Sequence, residues 1–276
     1  MQIEFTKMQG IGNDFVVIDA VNQSFSLTAE MARRLADRHF GVGCDQILIA
    51  ESPLSDDVAF RYRIFNADGS EVNQCGNGAR CFARFVYEKG LTDAREFAVE
   101  TAAGIMILTL LDNDQVRVNM GTPVLAPREI PFDAAEQQAV YSVTVDGQTY
   151  PLGAVSMGNP HGILVVDDTE TAPVLSLGPH LEQHARFPEH ANISFMQICA
   201  TDHIRLRVYE RGAGETLACG SGACAAVVSG RLRGLLGEQV KVDLPGGQLM
   251  IEWQGETTPV FLSGPARFVF EGTITL

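Results

Sequence analysis

Phe65-Asn66-Ala67-Asp68-Gly69-Ser70-Glu71-Val72-Asn73-Gln74-Cys75-Gly76-Asn77-Gly78-Ala79 lies without a gap over Tyr209-Glu210-Arg211-Gly212-Ala213-Gly214-Glu215-Thr216-Leu217-Ala218-Cys219-Gly220-Ser221-Gly222-Ala223. From Cys75 to Cys219 is 144 positions, and the segment just upstream keeps that offset, with Arg61-Tyr62-Arg63-Ile64 over Arg205-Leu206-Arg207-Val208. Further back the offset becomes 146: Gly12-Asn13 falls on Gly158-Asn159, Gln46-Ile47 on Asn192-Ile193, and Met31 and Leu35 on Leu177 and Leu181. A two-residue change between blocks is an ordinary loop insertion. The chain reads as one fold written twice.

Local patterning supports the duplication. Phe15-Val16-Val17-Ile18 and Ile163-Leu164-Val165-Val166 are short apolar runs ending in Asp, the mark of buried strands. Thr28 caps a helix expected to run to about His39, with Gly41 as its stop. Alternating stretches predict strands at 59–65, 97–101, 105–111, 115–120, 204–209 and 240–244. A helix follows each Cys-Gly-x-Gly. In the first, Phe82, Phe85 and Val86 share one face, and Arg80 and Arg84 another. The second, from Ala223 to Ser229, is apolar all round and therefore buried. Many strands around one buried helix per half predict an α+β barrel or roll rather than a doubly wound sheet. Pro123, Pro127 and Pro131 mark a linker over 122–131, Gly264-Pro265 marks a second break, and Phe268-Val269-Phe270 returns to the first half. The expected domains are residues 1–119 with 266–276, and residues 120–265.

The chemistry sits at the two strand-to-helix junctions. Helix starts carry N–H groups that no helical carbonyl receives, and the helix dipole is positive there. Glycine lets the backbone approach a ligand closely. The expected product is an anion cradle beside a thiol of lowered pKa. Carboxylate is a better occupant than phosphate, because neither loop carries the Lys-Ser/Thr of a P-loop. Two such loops at equivalent points of duplicated halves would set two thiols on opposite faces of one α-carbon. One thiolate would remove the α-proton and the other thiol would return one from the far side. No lysine stands in either loop to form a Schiff base, so pyridoxal phosphate is not suggested. Cys44, Cys81, Cys199 and Cys224 read as structural residues. The spacings Cys75 to Cys81 and Cys219 to Cys224 do not suit zinc, so no metal is expected.

The 276 residues carry a formal net charge of −14 and are 46% hydrophobic. That acidity disfavours nucleic-acid and anionic-membrane partners. No apolar run approaches the roughly 18 residues of a membrane helix, and Met1-Gln2-Ile3-Glu4-Phe5 lacks the pattern of a secretory signal. Unevenly spaced cysteines do not form a disulfide scaffold. The expectation is a cytoplasmic, reduced protein acting on a small molecule.

At these residues the chain resembles the diaminopimelate epimerase family. The resemblance rests on Gly10-Ile11-Gly12-Asn13-Asp14-Phe15, Phe65 to Ser70, Gln74-Cys75-Gly76-Asn77-Gly78-Ala79-Arg80-Cys81, Gly158-Asn159-Pro160-His161, and Glu210-Arg211-Gly212-Ala213-Gly214-Glu215-Thr216, which runs into Ala218 to Cys224. It implies two similar domains, each a mixed sheet curled around a central helix, with the active site in the cleft between them. It implies interconversion of LL- and meso-2,6-diaminopimelate, on the way to lysine and peptidoglycan precursors, by a homodimer without cofactor or metal. Carried over by position, Cys75 and Cys219 are the acid/base pair, and Gly76, Asn77, Gly220 and Ser221 hold the reacting carboxylate. Asn13, Gln46, Asn66, Asn159, Asn192, Glu210 and Arg211 bind the rest of the substrate, and His161 and Glu210 tune the thiols. A dicarboxylate diamine needs both donors and acceptors, which Arg211, Glu210 and the neutral amides supply. Glu71 and Glu215, each four residues before a cysteine, suit a structural hydrogen-bonding role. Two positions depart from the family pattern: Gly162, where relatives often carry a larger residue, and Cys44 beside Asp45-Gln46. Rival readings are a proline or hydroxyproline racemase of the same fold and, from another class, a thiol redox protein.

Overall fold

A computed structural model describes residues 1–73 and 75–276, so Gln74 of the first cysteine motif lies outside the described residues. The chain divides into two compact units, Met1–Asn119 with Ser263–Leu276, and Met120–Leu262.

In the first unit β1 (Gln2–Gly10) and β2 (Asn13–Asp19) form a hairpin, and β2 runs parallel to β3 (Gln46–Glu51). The order continues through β4 (Phe60–Asn66), which pairs with the short β5 (Glu71–Val72) and, in parallel, with β6 (Glu96–Thr101). The antiparallel β7 (Gly104–Leu110) and β8 (Gln115–Asn119) follow. Helix α1 (Ala29–Ala36) and helix α2 (Gly76–Glu88) complete the unit. The strand β2 is apolar without alternation because both its faces are covered. Val16 and Ile18 pack with Ala32 and Leu35 of α1, whereas Phe15 and Leu48 face Gly78 of α2. Helix α2 touches β1, β2 and β3 and also β7 and β8, from both ends of the strand order, so the sheet must curl around it.

The second unit repeats the plan. A hairpin of β9 (Tyr141–Val145) and β10 (Gln148–Ser156) leads to β11 (Pro160–Val166), which runs parallel to β12 (Asn192–Ala200). Next come β13 (His203–Glu210), the short β14 (Gly214–Thr216), β15 (Gln239–Leu244) and β16 (Gly247–Glu252). The parallel pairs β11–β12 and β13–β15 reproduce β2–β3 and β4–β6. Helix α3 (Val174–Glu182) corresponds to α1, and α4 (Gly220–Leu232) begins and ends 144 positions after α2. Gly12 and Gly158, in the turns before Asn13 and Asn159, share a φ of 90°, which a side chain would strain. Strand β17 (Phe261–Pro265) carries the chain out of this unit, and β18 (Arg267–Thr275) pairs antiparallel with β1. The architecture is an α+β fold of duplicated domains.

Several local expectations need correction. Helix α1 does cap on Thr28, whose Oγ1 accepts from Met31 N at 3.2 Å, but it stops at Ala36 rather than near His39. Asp37 turns the chain out, its Oδ1 accepting the amides of His39 and Phe40 at 2.7 and 2.8 Å, a local bond that competes with the helix. The segment 122–131 is no loose linker: Val124 exchanges both backbone hydrogen bonds with Ser156 at 2.9 Å, and Ile130 is buried in the core of the second unit. The expected break at Gly264-Pro265 falls at the end of β17, where Ala266 separates it from β18. Strand β10 escapes the sequence reading because it contains Pro151 and turns from exposed to continuously buried, without alternation. Gly162 has a packing reason, since a Cβ there would stand 3.0 Å from Ile193 Cδ1 and 3.1 Å from Leu152 Cδ1.

Candidate active site

Cys75 and Cys219 occupy the same structural position. Each is the N-cap of the central helix of its unit, in extended conformation (φ −147° and −118°), with no acidic residue in the helix's first turn. The carbonyl oxygens of the two cysteines accept from Ala79 and Ala223 at 2.8 and 3.0 Å, closing the first helical turns. Gly76 and Asn77, and likewise Gly220 and Ser221, are therefore the residues whose amides stand at a positive helix start.

The first unit surrounds Cys75 with amides. Its Sγ accepts from Gly78 N at 3.4 Å and lies 3.9 Å from Asn13 Oδ1. Asn77, 3% exposed, donates from Nδ2 to that same Oδ1 at 3.3 Å. Helical spacing puts Arg80 with Arg84 on a second helix face. It is instead fully buried, donating to Asn77 Oδ1 at 3.0 Å, to the Gly76 carbonyl at 3.3 Å and to the Pro265 carbonyl at 3.2 Å. Gln46 donates to Asn66 Oδ1 at 3.0 Å, and Asn66 donates to Ser70 Oγ at 3.1 Å. The parallel pairing of β2 with β3 brings the Gln46–Asn66 pair to the same end of the sheet as Asn13.

Cys219 in the second unit is 4% exposed, and Ser221 Oγ lies 3.7 Å from its Sγ. Burial pushes its thiol pKa well up, the Glu210 carboxylate beside it pushes the same way, and the Gly222 amide and Ser221 hydroxyl only partly oppose them. The expected lowering is thus reversed at Cys219: desolvation exceeds what the amide and hydroxyl hydrogen bonds return. Thr216 Oγ1 donates to Glu210 Oε1. Asn192 donates to the Pro160 carbonyl at 3.2 Å and accepts from Arg211 N at 3.0 Å, while the Arg211 guanidinium reaches the Glu189 carbonyl at 3.0 Å. His161 is fully buried, with Nε2 3.0 Å from Asn159 Oδ1. Burial, aided by the nearby charge of Arg211, lowers its pKa to about 3, so it is neutral at physiological pH and acts on its surroundings as a hydrogen-bonding group rather than a cation.

The remaining cysteines differ. Cys44 and Cys81 are buried and their thiols are pushed up to about 11 and about 12 by desolvation, whereas Cys199 is exposed. Sequence reasoning missed the charged residues behind Asn13. Asp45 accepts from Asn13 Nδ2 at 2.9 Å and from Arg38 at 2.8 Å, Arg38 also grips Asp14 at 2.8 and 3.0 Å, and Lys7 reaches Asp14 at 2.5 Å. The duplication gave no signal for them, because Asp14, Arg38 and Asp45 fall on Pro160, His184 and Ala191.

Among solved structures, a hydroxyproline epimerase from Agrobacterium vitis superposes with a TM-score of 0.73 at 14% identity, covering 99% of this chain and 92% of the other. The shared fold sets the chain in the structural class that includes this hydroxyproline epimerase. The family model described as diaminopimelate epimerase matches residues 5–126 and 153–269. Proteins named diaminopimelate epimerase from Thioalkalivibrio sulfidiphilus (strain HL-EbGR7) and Teredinibacter turnerae (strain ATCC 39867 / T7901) are 60% and 56% identical, each aligned over the whole of both chains. The chain belongs to the diaminopimelate epimerase family.

Proposed function

We propose that this enzyme interconverts LL- and meso-2,6-diaminopimelate in lysine and peptidoglycan precursor synthesis, with Cys75 and Cys219 as the two bases of a proton swap. The observation that carries the mechanism is the equivalence of the two thiols as N-caps of α2 and α4 in duplicated units. In this reading the substrate carboxylate sits on the first-turn amides of both helices. One thiolate takes the α-proton, and the electron pair left on carbon spreads into the carboxylate, where those dipoles stabilise it. The opposite S–H then gives its proton to the other face of the carbon and becomes the next thiolate. The charge relations are restored with the stereocentre inverted, so the reaction needs no cofactor.

Asn13, Gln46, Asn66, Asn159, Asn192, Glu210 and Arg211 are assigned to the substrate's remaining carboxylate and ammonium groups. Neutral His161 acts by orienting Asn159, and Glu210 by holding the Cys219 proton. Among the described residues no helix is long and apolar enough to cross a membrane. We further propose that the enzyme works in the cytoplasm as a homodimer, which light scattering tests. Incubation in D2O with meso-diaminopimelate and, separately, with L-proline tests the substrate. Deuterium should enter the α-carbon of diaminopimelate, and incorporation into proline alone would overturn the assignment.

A further inference from the structure

The amides around Cys75 form a chain whose direction is fixed at both ends. Arg80 can only donate, so it must meet the oxygen of Asn77, which turns Asn77 Nδ2 toward Asn13. Asp45, as a carboxylate, can only accept, so it must meet the nitrogen of Asn13. Both constraints aim Asn13 Oδ1 at the Cys75 sulfur. In the second unit His161 holds the equivalent Asn159 by its oxygen. Asp45 is itself fixed by Arg38 and by backbone bonds with Asp14, where each carboxylate accepts the other residue's amide at 3.0 to 3.1 Å.

We infer that Asp45 is a positioning residue of the reaction, which locks the Asn13 amide so that Cys75 faces a hydrogen-bond acceptor and is held as the protonated thiol until it delivers its proton. The inference rests on the proposed role of Cys75 as an acid/base group. Among the described residues, the ionisable groups beside Cys75 within its unit include Tyr62 on β4 and Arg80 and Cys81 on α2. Burial keeps Tyr62 and Cys81 in their neutral forms, whereas Arg80 is charged.

The experiment measures iodoacetamide alkylation of Cys75 at fixed pH, read on its peptide by mass spectrometry, beside α-proton exchange of meso-diaminopimelate in D2O. Asp45→Ala removes one of the two constraints on the Asn13 amide and loosens its orientation, so alkylation should quicken severalfold while kcat falls about tenfold, the worth of one good hydrogen bond. Asp45→Glu keeps an acceptor-only group and should recover most of both. Asn13→Asp sets a carboxylate against the sulfur and should slow alkylation, opposite in sign to Asp45→Ala. A purely structural Asp45 would lower the melting temperature and leave the alkylation rate of the folded protein unmoved; that result, or no recovery with Glu, overturns the inference. If Asp45→Ala does not fold, alkylation in Asn13→Asp that is unchanged or faster overturns it as well. Exchange that survives in Cys75→Ala would instead overturn the underlying role of Cys75.

Discussion

Glu215 takes two hydrogen bonds from the Arg207 guanidinium, from Nε at 2.6 Å and from a terminal nitrogen at 2.9 Å. Exactly one repeat earlier in the fold, Glu71 takes the same two from Arg63 at 2.7 and 2.9 Å. Each pair ties the short strand that leads into a cysteine loop to its neighbour, β14 to β13 and β5 to β4. The glutamates that precede the cysteines are therefore braces, and the expected structural role is theirs.

Loss of the brace should cost stability first. Glu215→Gln leaves a partly buried guanidinium short of its charge partner and should lower unfolding free energy by about 1–2 kcal/mol in a urea titration. Glu71 is more exposed, at 37% of its side chain against 22% for Glu215, so Glu71→Gln should cost less. Equal costs would show that shelter from solvent does not set the strength of the pair.

Asp14 should confer stability deep into acid. Burial alone would raise its pKa, but the hydrogen bonds and charges of Arg38 and Lys7 outweigh it and hold the carboxyl well below the usual range. A carboxyl depressed in the folded state stabilises above its unfolded pKa, and the stabilisation is lost as pH falls through the folded value. The melting-temperature gap between wild type and Arg38→Gln should therefore persist at about pH 3, below the ordinary Asp value near 4, and close only in stronger acid. A gap already closed there would contradict the depressed carboxyl.

Substitution of the two cysteines tests the proton swap. Cys75→Ala and Cys219→Ala should each reduce epimerisation by about 100-fold to 10,000-fold, the range of general acid–base catalysis, whereas exposed Cys199→Ala should change little. Oxidation that joins Cys75 to Cys219 should switch the enzyme off and a reductant restore it, the reverse of what a redox protein requires. Full turnover by either active-site variant would sink the two-base scheme.

The glycines behind the cysteines should separate into two kinds. A Cβ on Gly78 would lie 2.4 Å from Tyr62 Oη, a fully buried neighbour with little room to move, so Gly78→Ala should lower both stability and activity. A Cβ on Gly222 meets Cys219 Sγ at 3.1 Å and Val208 Cγ2 at 3.3 Å. Gly222→Ala should displace the thiol by tenths of an ångström, reducing kcat more than it reduces the melting temperature. The check is kcat per folded molecule in each variant.

Much of this was legible because duplication writes its evidence twice. Two thiols with their glycines, two Gly-Asn turns and two Arg–Glu pairs recur at a nearly constant offset, and that fixed the repeat and the two helix starts together. What stayed hidden lacks a copy or a local pattern. Asp45 and Arg38 fall on Ala191 and His184 in the other half, so no repeat flagged them. Helical spacing puts Arg80 on a face with Arg84 but cannot reveal that β17 supplies a carbonyl to receive a buried guanidinium. The helix start at Cys219, local and visible, predicts a lowered pKa, whereas the burial that reverses it comes from tertiary packing.

The strongest electrostatic test lies at that thiol. Burial and the adjacent Glu210 carboxylate both disfavour the Cys219 thiolate, and only the second can be removed without opening the core. Glu210→Gln keeps the shape and an acceptor for Thr216 but deletes the negative charge. The thiolate of Cys219 should then form at lower pH, seen as a downward shift of its ultraviolet thiolate absorbance in a Cys75→Ala, Cys199→Ala background. With both thiols present, Glu210→Gln should still lower turnover, since a sulfur that releases its proton too readily is a poorer donor to carbon. A thiolate titration that does not move, or moves upward, would mean that Glu210 acts on the substrate alone.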